Sequence, residues 1–373
     1  MTTRFYNARI LRENAFEKGE LWVSEGKIIQ KSKSPTDEVD VQDMLIAPGY
    51  IDLQINGGFG VDFSLEAEKI GEVAQQLPQF GVTSFLPTLI SSAPEHYRVA
   101  IAQIQAKMTF PTSGAQILGI HLEGPFLNPL QKGAHRPKYL KKCSTSLQEV
   151  YANLENVKMV TLAPELDGAS VLISEFRKRG IVISAGHTCA TLQQMEEAIV
   201  QGVGCVTHLF NAMNAFHHRE PGVIGAVLTH HTLPFSMIGD PYHIHPKVFQ
   251  MVWQIRGHDL ILVSDAMAAL GLASGTYKLG TMEVEVRDGG AYLKGTEKLA
   301  GSIIGLDSAV RYLHASTGCT QAEAIRAATV KPAVLLGLLP KKGTLEIGAD
   351  ADFNFLDDYL FVRATYVSGL RMF

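Results

Sequence analysis

The spacing of apolar residues changes twice along the chain. Residues 1 to about 47 alternate apolar and polar positions, as in Glu20-Leu21-Trp22-Val23 and Lys27-Ile28-Ile29-Gln30, with Glu25-Gly26 between them. That is the two-residue period of antiparallel strands joined by a hairpin turn. From Leu45 the alternation gives way to short unbroken apolar runs: Ile46 to Ile55, Val82 to Leu89, Ile117 to Leu122, Val157 to Ala163, Ile181 to Ala185, Cys205 to Leu209, Phe235 to Gly239 and Leu260 to Ser264. Ala67 to Phe80, Pro94 to Met108, Ala169 to Arg179 and Leu192 to Gln201, which lie between these runs, carry apolar residues at helical spacing. Eight buried strands alternating with amphipathic helices predict an α/β fold, a (β/α)8 TIM-like barrel.

Alternation returns from Gly275 to Gly295, where Met282-Glu283-Val284-Glu285-Val286 is followed by Asp288-Gly289-Gly290, and this reads as a β-hairpin insertion. Leu306 to Leu338 is helical again, with Thr320-Gln321-Ala322-Glu323 as a capping box. The tail, Gly343-Thr344-Leu345 and Ala351 to Leu356, is short β. It is expected to pair with the N-terminal strands. The predicted organisation is a small β-sandwich domain built from residues 1–47 and 336–373 and a barrel over 48–335, with the hairpin insertion at about 275–295.

Composition narrows the possible partners. With 33 basic and 37 acidic residues the chain is nearly neutral, so it has no electrostatic footprint for nucleic acid or an anionic membrane. No apolar run is long enough to span a bilayer, and the first ten residues lack a signal-peptide apolar core. The four cysteines, Cys143, Cys189, Cys205 and Cys319, have no CxxC spacing, which argues against a disulfide framework or a thiolate metal site. A cytoplasmic setting is the expectation.

In barrels of this kind, reactive side chains stand where strands end and βα loops begin. The third run ends in His121-Leu122-Glu123, the fifth is followed by His187, the sixth contains His208, and the eighth is followed by Asp265. Taken singly, Glu123 or Asp265 is as readily a helix N-cap, and a lone histidine is more often a hydrogen-bonded structural residue. Taken jointly, two imidazoles and a carboxylate at three strand ends of one barrel are the three-ligand set of a catalytic metal site, with Asp265 left to act as a base. Zinc is the expected ion, and iron, manganese or cobalt also suit these ligands.

The first run bears on the number of ions. Many metal-dependent amidohydrolases carry His-x-His after a Pro-Gly-x-Ile-Asp run and use it to hold a second ion, whereas this chain has Pro48-Gly49-Tyr50-Ile51-Asp52-Leu53-Gln54-Ile55-Asn56. Neutral amides are poor ligands for a zinc-like ion, so one ion is expected. His243-Ile244-His245 does contain His-x-His, but it follows the seventh strand; His243 is the better candidate of the two to face the pocket.

Read together, Pro48-Gly49-Tyr50-Ile51-Asp52, His121-Leu122-Glu123-Gly124-Pro125-Phe126, Lys132-Gly133-Ala134-His135, Gly186-His187-Thr188, Thr207-His208-Leu209-Phe210-Asn211-Ala212-Met213, Arg219-Glu220-Pro221-Gly222, Ser264-Asp265-Ala266 and Leu299-Ala300-Gly301-Ser302 run in one family's order. Over nearly its whole length the chain resembles the N-acetylglucosamine-6-phosphate deacetylases of the amidohydrolase superfamily. The resemblance implies removal of acetate from a phosphorylated N-acetyl amino sugar by a homodimer. It implies that Glu123, His187 and His208 hold the metal, that Asp265 is the general acid/base, and that His135 contacts the acetamido carbonyl. It also implies that Asn211, Ala212, Arg219 and His243 hold the sugar phosphate, with Arg219 able to act across the subunit interface. Arg219 alone reads equally well as a surface ion pair with Glu220. Gln54 and Asn56 match the single-metal branch.

Overall fold

The computed structural model describes residues 2–108 and 113–373. The buried runs form a nearly closed barrel of eight parallel strands: Tyr50–Ile55, Val82–Ile90, Ile120–Glu123, Val157–Leu162, Val182–Ala185, Cys205–Val206, Phe235–Ile238 and Leu260–Val263. Neighbours pair in sequence order, and their registers place His121 opposite Met159 and Ser184 opposite Cys205. Burial on both faces explains the unbroken apolar texture: Val82–Ile90 is buried at every position.

The first and eighth strands meet through a parallel bridge between Ile55 and Ala266, with Asp265 N–H donating to the Gln54 carbonyl at 2.8 Å. Beneath it the buried Asp52 carboxylate accepts from the backbone N–H groups of Gln54 and Ser264, each at 3.2 Å. Burial pushes this carboxyl up to about 6 even though these donors favour its charged form. Closure therefore brings Gln54 and Asn56 against the strand end that carries Asp265.

The first expected strand is two strands. Leu45–Pro48 belongs to another sheet and Tyr50–Ile55 to the barrel. The chain crosses between them at Gly49, where a Cβ atom would lie 2.2 Å from the Thr83 side chain. Both halves are fully buried and apolar enough to look like one run.

The second sheet has eight strands drawn from both ends of the chain. Phe353–Leu356 pairs antiparallel with Leu45–Pro48, which in turn pairs parallel with Thr2–Arg12. Phe5, Phe353, Phe355 and Tyr366 form its aromatic centre, with Phe353 stacked on Tyr366 at 4.7 Å and edge-on to Phe5 at 5.1 Å.

Helices cover the barrel where expected, including Pro94–Met108, Ala169–Lys178 and Leu192–Gln201. Reciprocal capping boxes start two of them, at Thr191/Gln194 and at Thr320/Glu323. The insertion is a three-stranded antiparallel sheet, Gly275–Leu279, Met282–Arg287 and Gly290–Leu293. Asp62 fastens it to the barrel by accepting from Gly280 N–H at 2.6 Å, so that Leu279 forms part of the pocket wall. Among the described residues, no helix is long and apolar enough to cross a membrane.

Candidate active site and metal centre

Glu123 is the last residue of its strand, whereas His187, His208 and Asp265 each follow their strands by two residues. All three of the latter have left-handed backbones, with φ of 51°, 32° and 47°. Non-glycine residues pay for that conformation, and such strain persists where the surrounding structure fixes it. Here it marks the turn that follows each strand, and the side chain at that turn lines a cavity of about 280 Å³ at the barrel mouth. The volume is close to the lower end for small-molecule pockets, which run from about 300 Å³ upward.

Three ligand-type atoms meet at the floor of this cavity. His208 Nε2 lies 3.0 Å from Glu123 Oε1, His187 Nε2 lies 3.3 Å from the same oxygen, and the two nitrogens are 3.2 Å apart. Bonds of about 2.0–2.1 Å to a tetrahedral zinc would separate neighbouring ligands by about 3.3 Å. The triangle therefore fits a small divalent ion.

His135 is also near, and it forms with Glu123 and His187 a group whose ligand atoms all lie within 4.8 Å of one another. Hydrogen bonding distinguishes the imidazoles. His187 Nδ1 donates to the Gln131 carbonyl at 2.9 Å, which leaves a lone pair on Nε2 facing the triangle. His135 Nδ1 accepts from Ser91 N–H at 3.2 Å, with the Ser91 hydroxyl at 2.9 Å, so its hydrogen resides on Nε2. That nitrogen is 3.7 Å from Glu123 Oε2 and presents a donor where a ligand needs a lone pair. The lysine-glycine-alanine-histidine motif also has a steric basis: a Cβ at Gly133, whose φ is +54°, would come within 2.9 Å of the His187 ring.

Burial dominates the electrostatics. It would raise Glu123, but the neighbouring imidazoles of His135, His187 and His208 hold that carboxyl well below its ordinary range. Burial, reinforced by the charge of His135, lowers His187 to about 4. His208 loses affinity for a proton through burial and more than regains it from Glu123 and Asp265, so its net direction is upward. Asp265, buried and repelled by the charge on Glu123, is pushed up to about 7.

The amides expected to mark a single-ion site make direct contacts with both carboxylates. Gln54 Nε2 donates to Glu123 Oε1 and Asn56 Nδ2 donates to Asp265 Oδ1, each at 2.8 Å. Asn56 Oδ1 is buried without a partner. Hydrogens rather than lone pairs thus point at the carboxylates, which disfavours a second cation there.

Asn211, Ala212 and His243 line the same cavity. His243 Nδ1 donates to Asp240 Oδ2 at 2.8 Å, while Asp240 Oδ1 accepts from the N–H groups of Tyr242 and His243. Asp240 was not anticipated from the sequence, although it stands two residues beyond the seventh strand, where the strand-end rule applies. Lys298, on the pocket wall, was also missed; burial and then the charge of Lys132 lower its ammonium group. His245 caps the helix Pro246–Arg256 by accepting from Lys247 N–H at 3.2 Å. The structure does not bring Arg219 to the cavity of its own chain. It lies in the exposed segment 214–220, and its guanidinium sits 3.3 Å from His218 Nε2. Glu220 instead accepts from Leu192 N–H and Gly222 N–H.

The amidohydrolase family model matches residues 45–371. The chain is 44% identical over 391 residues to the N-acetylglucosamine-6-phosphate deacetylase of Danio rerio, an alignment covering 99% of this chain and 96% of that one. The solved structure of N-acetylglucosamine-6-phosphate deacetylase from Pasteurella multocida superposes with a TM-score of 0.92 at 30% identity, over 100% of this chain and 99% of that chain. A variant of the Mycobacterium smegmatis N-acetyl-D-glucosamine-6-phosphate deacetylase, in complex with N-acetyl-D-glucosamine-6-phosphate, gives a TM-score of 0.90 at 30% identity with the same coverage. The chain belongs to the amidohydrolase family and, within it, to the N-acetylglucosamine-6-phosphate deacetylases.

Proposed function

We propose that this protein hydrolyses N-acetyl-D-glucosamine 6-phosphate to D-glucosamine 6-phosphate and acetate, with one divalent ion held by Glu123, His187 and His208. The observation that carries this reading is the triangle of Glu123 Oε1, His187 Nε2 and His208 Nε2, with edges of 3.0 to 3.3 Å, on the floor of a sugar-sized cavity that also holds Asp265. When bound, such an ion polarises a carbonyl oxygen and acidifies water. Zinc fits the ligand set, as do iron, manganese and cobalt.

The remaining steps belong to side chains. Asn56 engages Asp265 Oδ1, which leaves Oδ2 to take a proton from the attacking water. The water oxygen bonds to the acetamido carbon. His135 Nε2–H donates to the carbonyl oxygen as negative charge gathers there, a contact whose loss typically costs about 10²-fold or more in rate. When the carbon–nitrogen bond breaks, Asp265 returns its proton to the nitrogen. The sugar leaves as a neutral amine, the acyl group leaves as acetate, and the remaining proton passes to solvent.

Asn211, the Ala212 backbone and His243 hold the sugar phosphate, and Arg219 completes that grip from the partner subunit of a homodimer. Two observations support the crossing: Arg219 is absent from the lining of its own pocket, and the exposed run 214–220 beside that pocket includes Phe216, which is 54% exposed. Arginine's planar fork suits phosphate recognition. In this reading residues 48–335 form the catalytic unit, and 1–47 with 336–373 form its companion domain. The deciding experiment measures acetate release from the gluco and galacto N-acetylhexosamine 6-phosphates, each with and without a chelator. Chelator-sensitive release with the gluco epimer preferred is expected; release from neither, or from the galacto epimer alone, would overturn the reading.

A further inference from the structure

We infer that Glu165 is a positioning residue for His187: its carboxylate joins the two loops that give this imidazole its orientation and its tautomer. The inference rests on the reading of His187 as a metal ligand. Glu165 follows the fourth barrel strand, in Ala163-Pro164-Glu165, and is not among the residues that line the cavity. Among the described residues no cation lies within ion-pair distance of it. Its two oxygens instead accept from three neutral donors: Cys189 N–H at 2.6 Å and Asn128 Nδ2 at 2.8 Å on Oε1, and the Thr188 hydroxyl at 2.5 Å on Oε2.

Those donors belong to two different loops. Thr188 and Cys189 directly follow His187, whose left-handed backbone needs external restraint. Asn128 begins the short turn Pro129–Gln131, and its side chain accepts from Leu130 N–H at 2.9 Å. That turn delivers the Gln131 carbonyl to His187 Nδ1, while Asn128 N–H donates to the His187 carbonyl at 2.9 Å. The Glu165 carboxylate thus holds His187 from both sides. One link fixes the backbone after the imidazole, and the other fixes the turn whose carbonyl keeps the hydrogen on Nδ1 and the lone pair on Nε2. A group hydrogen-bonded directly to a metal-ligating imidazole, as the Gln131 carbonyl is to His187, typically carries about 10- to 100-fold in affinity, and Glu165 acts by holding that carbonyl and the imidazole's own backbone in place.

The test compares zinc-loaded parent, Glu165→Gln and Glu165→Ala, measuring Zn²⁺ affinity by competition with a chromophoric chelator and unfolding of the metal-free proteins by circular dichroism. The glutamine retains one acceptor oxygen, so affinity should fall in the order Glu, Gln, Ala, by about 10- to 100-fold at the alanine, with the metal-free unfolding midpoints little changed. Asn128→Asp attacks the link from the other loop. It keeps the acceptor for Leu130 N–H and places a second carboxylate against Glu165, so it should weaken Zn²⁺ in the same way and keeps the idea testable if a Glu165 variant fails to fold. Affinities within about twofold of the parent in the folded variants would overturn the inference. Lower unfolding midpoints with unchanged affinity would also overturn it, since that is the signature of a purely structural role. A parent that binds no Zn²⁺ would instead overturn the ligand assignment beneath it.

Discussion

Asn56→Ala should move the pH profile of the reaction. In the parent, Asn56 Nδ2 donates to Asp265 Oδ1 at 2.8 Å, and both residues are buried. A hydrogen bond to a charged group contributes about 1.5–3 kcal/mol. This one favours the ionised carboxylate over the protonated form, so its loss raises the pKa. At 1.36 kcal/mol per pH unit, the acid limb should rise by about 1 to 2 pH units. The sign follows from the proposed role: a base must be ionised, so activity is lost as pH falls through the Asp265 pKa, and a raised pKa extends that loss to higher pH. Burial and Glu123 already push the carboxyl up to about 7. A bound cation lowers the absolute position in parent and variant alike, so the difference between them is the quantity to compare. The assay is acetate release at low substrate concentration across pH 5 to 10, which reports kcat/KM. The variant should fall far below the parent on the acid side and approach it at high pH. A loss of equal size at every pH, with the limb unmoved, would refute the claim that Asn56 acts through the Asp265 charge.

Asp265→Asn should retain its metal and lose nearly all turnover, because an amide cannot take the proton; near-normal turnover would remove Asp265 from its role. Arg219→Ala should raise KM for the sugar phosphate with a smaller effect on the unphosphorylated sugar, and equal effects on both would count against phosphate recognition. If Arg219 serves the partner subunit, dilution that separates the dimer should also raise KM, so fully active monomers would contradict the crossing. Asp52→Asn removes a carboxyl that burial raises to about 6 in the folded protein, against an ordinary value of about 3.9. The folded parent therefore binds the extra proton between those values and loses stability as pH rises through that window, so the variant should gain relative stability from pH 4 to 7, by at most about 3 kcal/mol. A stability difference independent of pH would contradict this.

Much of the site was legible because its chemistry is tied to strand ends. Glu123, His187, His208 and Asp265 stand out once the apolar runs are counted, and the structure gathers them at one cavity. Hydrophobic spacing reports burial, however, and burial does not say which sheet owns a strand. Leu45–Pro48 and Tyr50–Ile55 are equally buried, and only the close approach of Thr83 to Gly49 marks the crossing. The sixth apolar run extends through Leu209, but its strand ends at Val206, because the backbone turns left-handed at His208 to present the side chain. His245 carried a readable signal, since a residue before Pro246 is well placed to cap a helix whose first position is proline. The distinction between His187 and His135 is implied by the family resemblance and is not legible in the spacing of residues. It depends on a carbonyl from Gln131 and an N–H from Ser91, which folding brings to the two imidazoles from other loops.

In the proposed mechanism a single ion held by Glu123, His187 and His208 enables deacetylation. Its most direct test is elemental analysis of the purified protein combined with acetate release from N-acetyl-D-glucosamine 6-phosphate before chelation, after chelation and after adding back Zn²⁺. One ion per chain is expected, with loss of turnover on loss of the ion and recovery when one equivalent is restored. Two tightly bound ions per chain, or full turnover by metal-free protein, would contradict it.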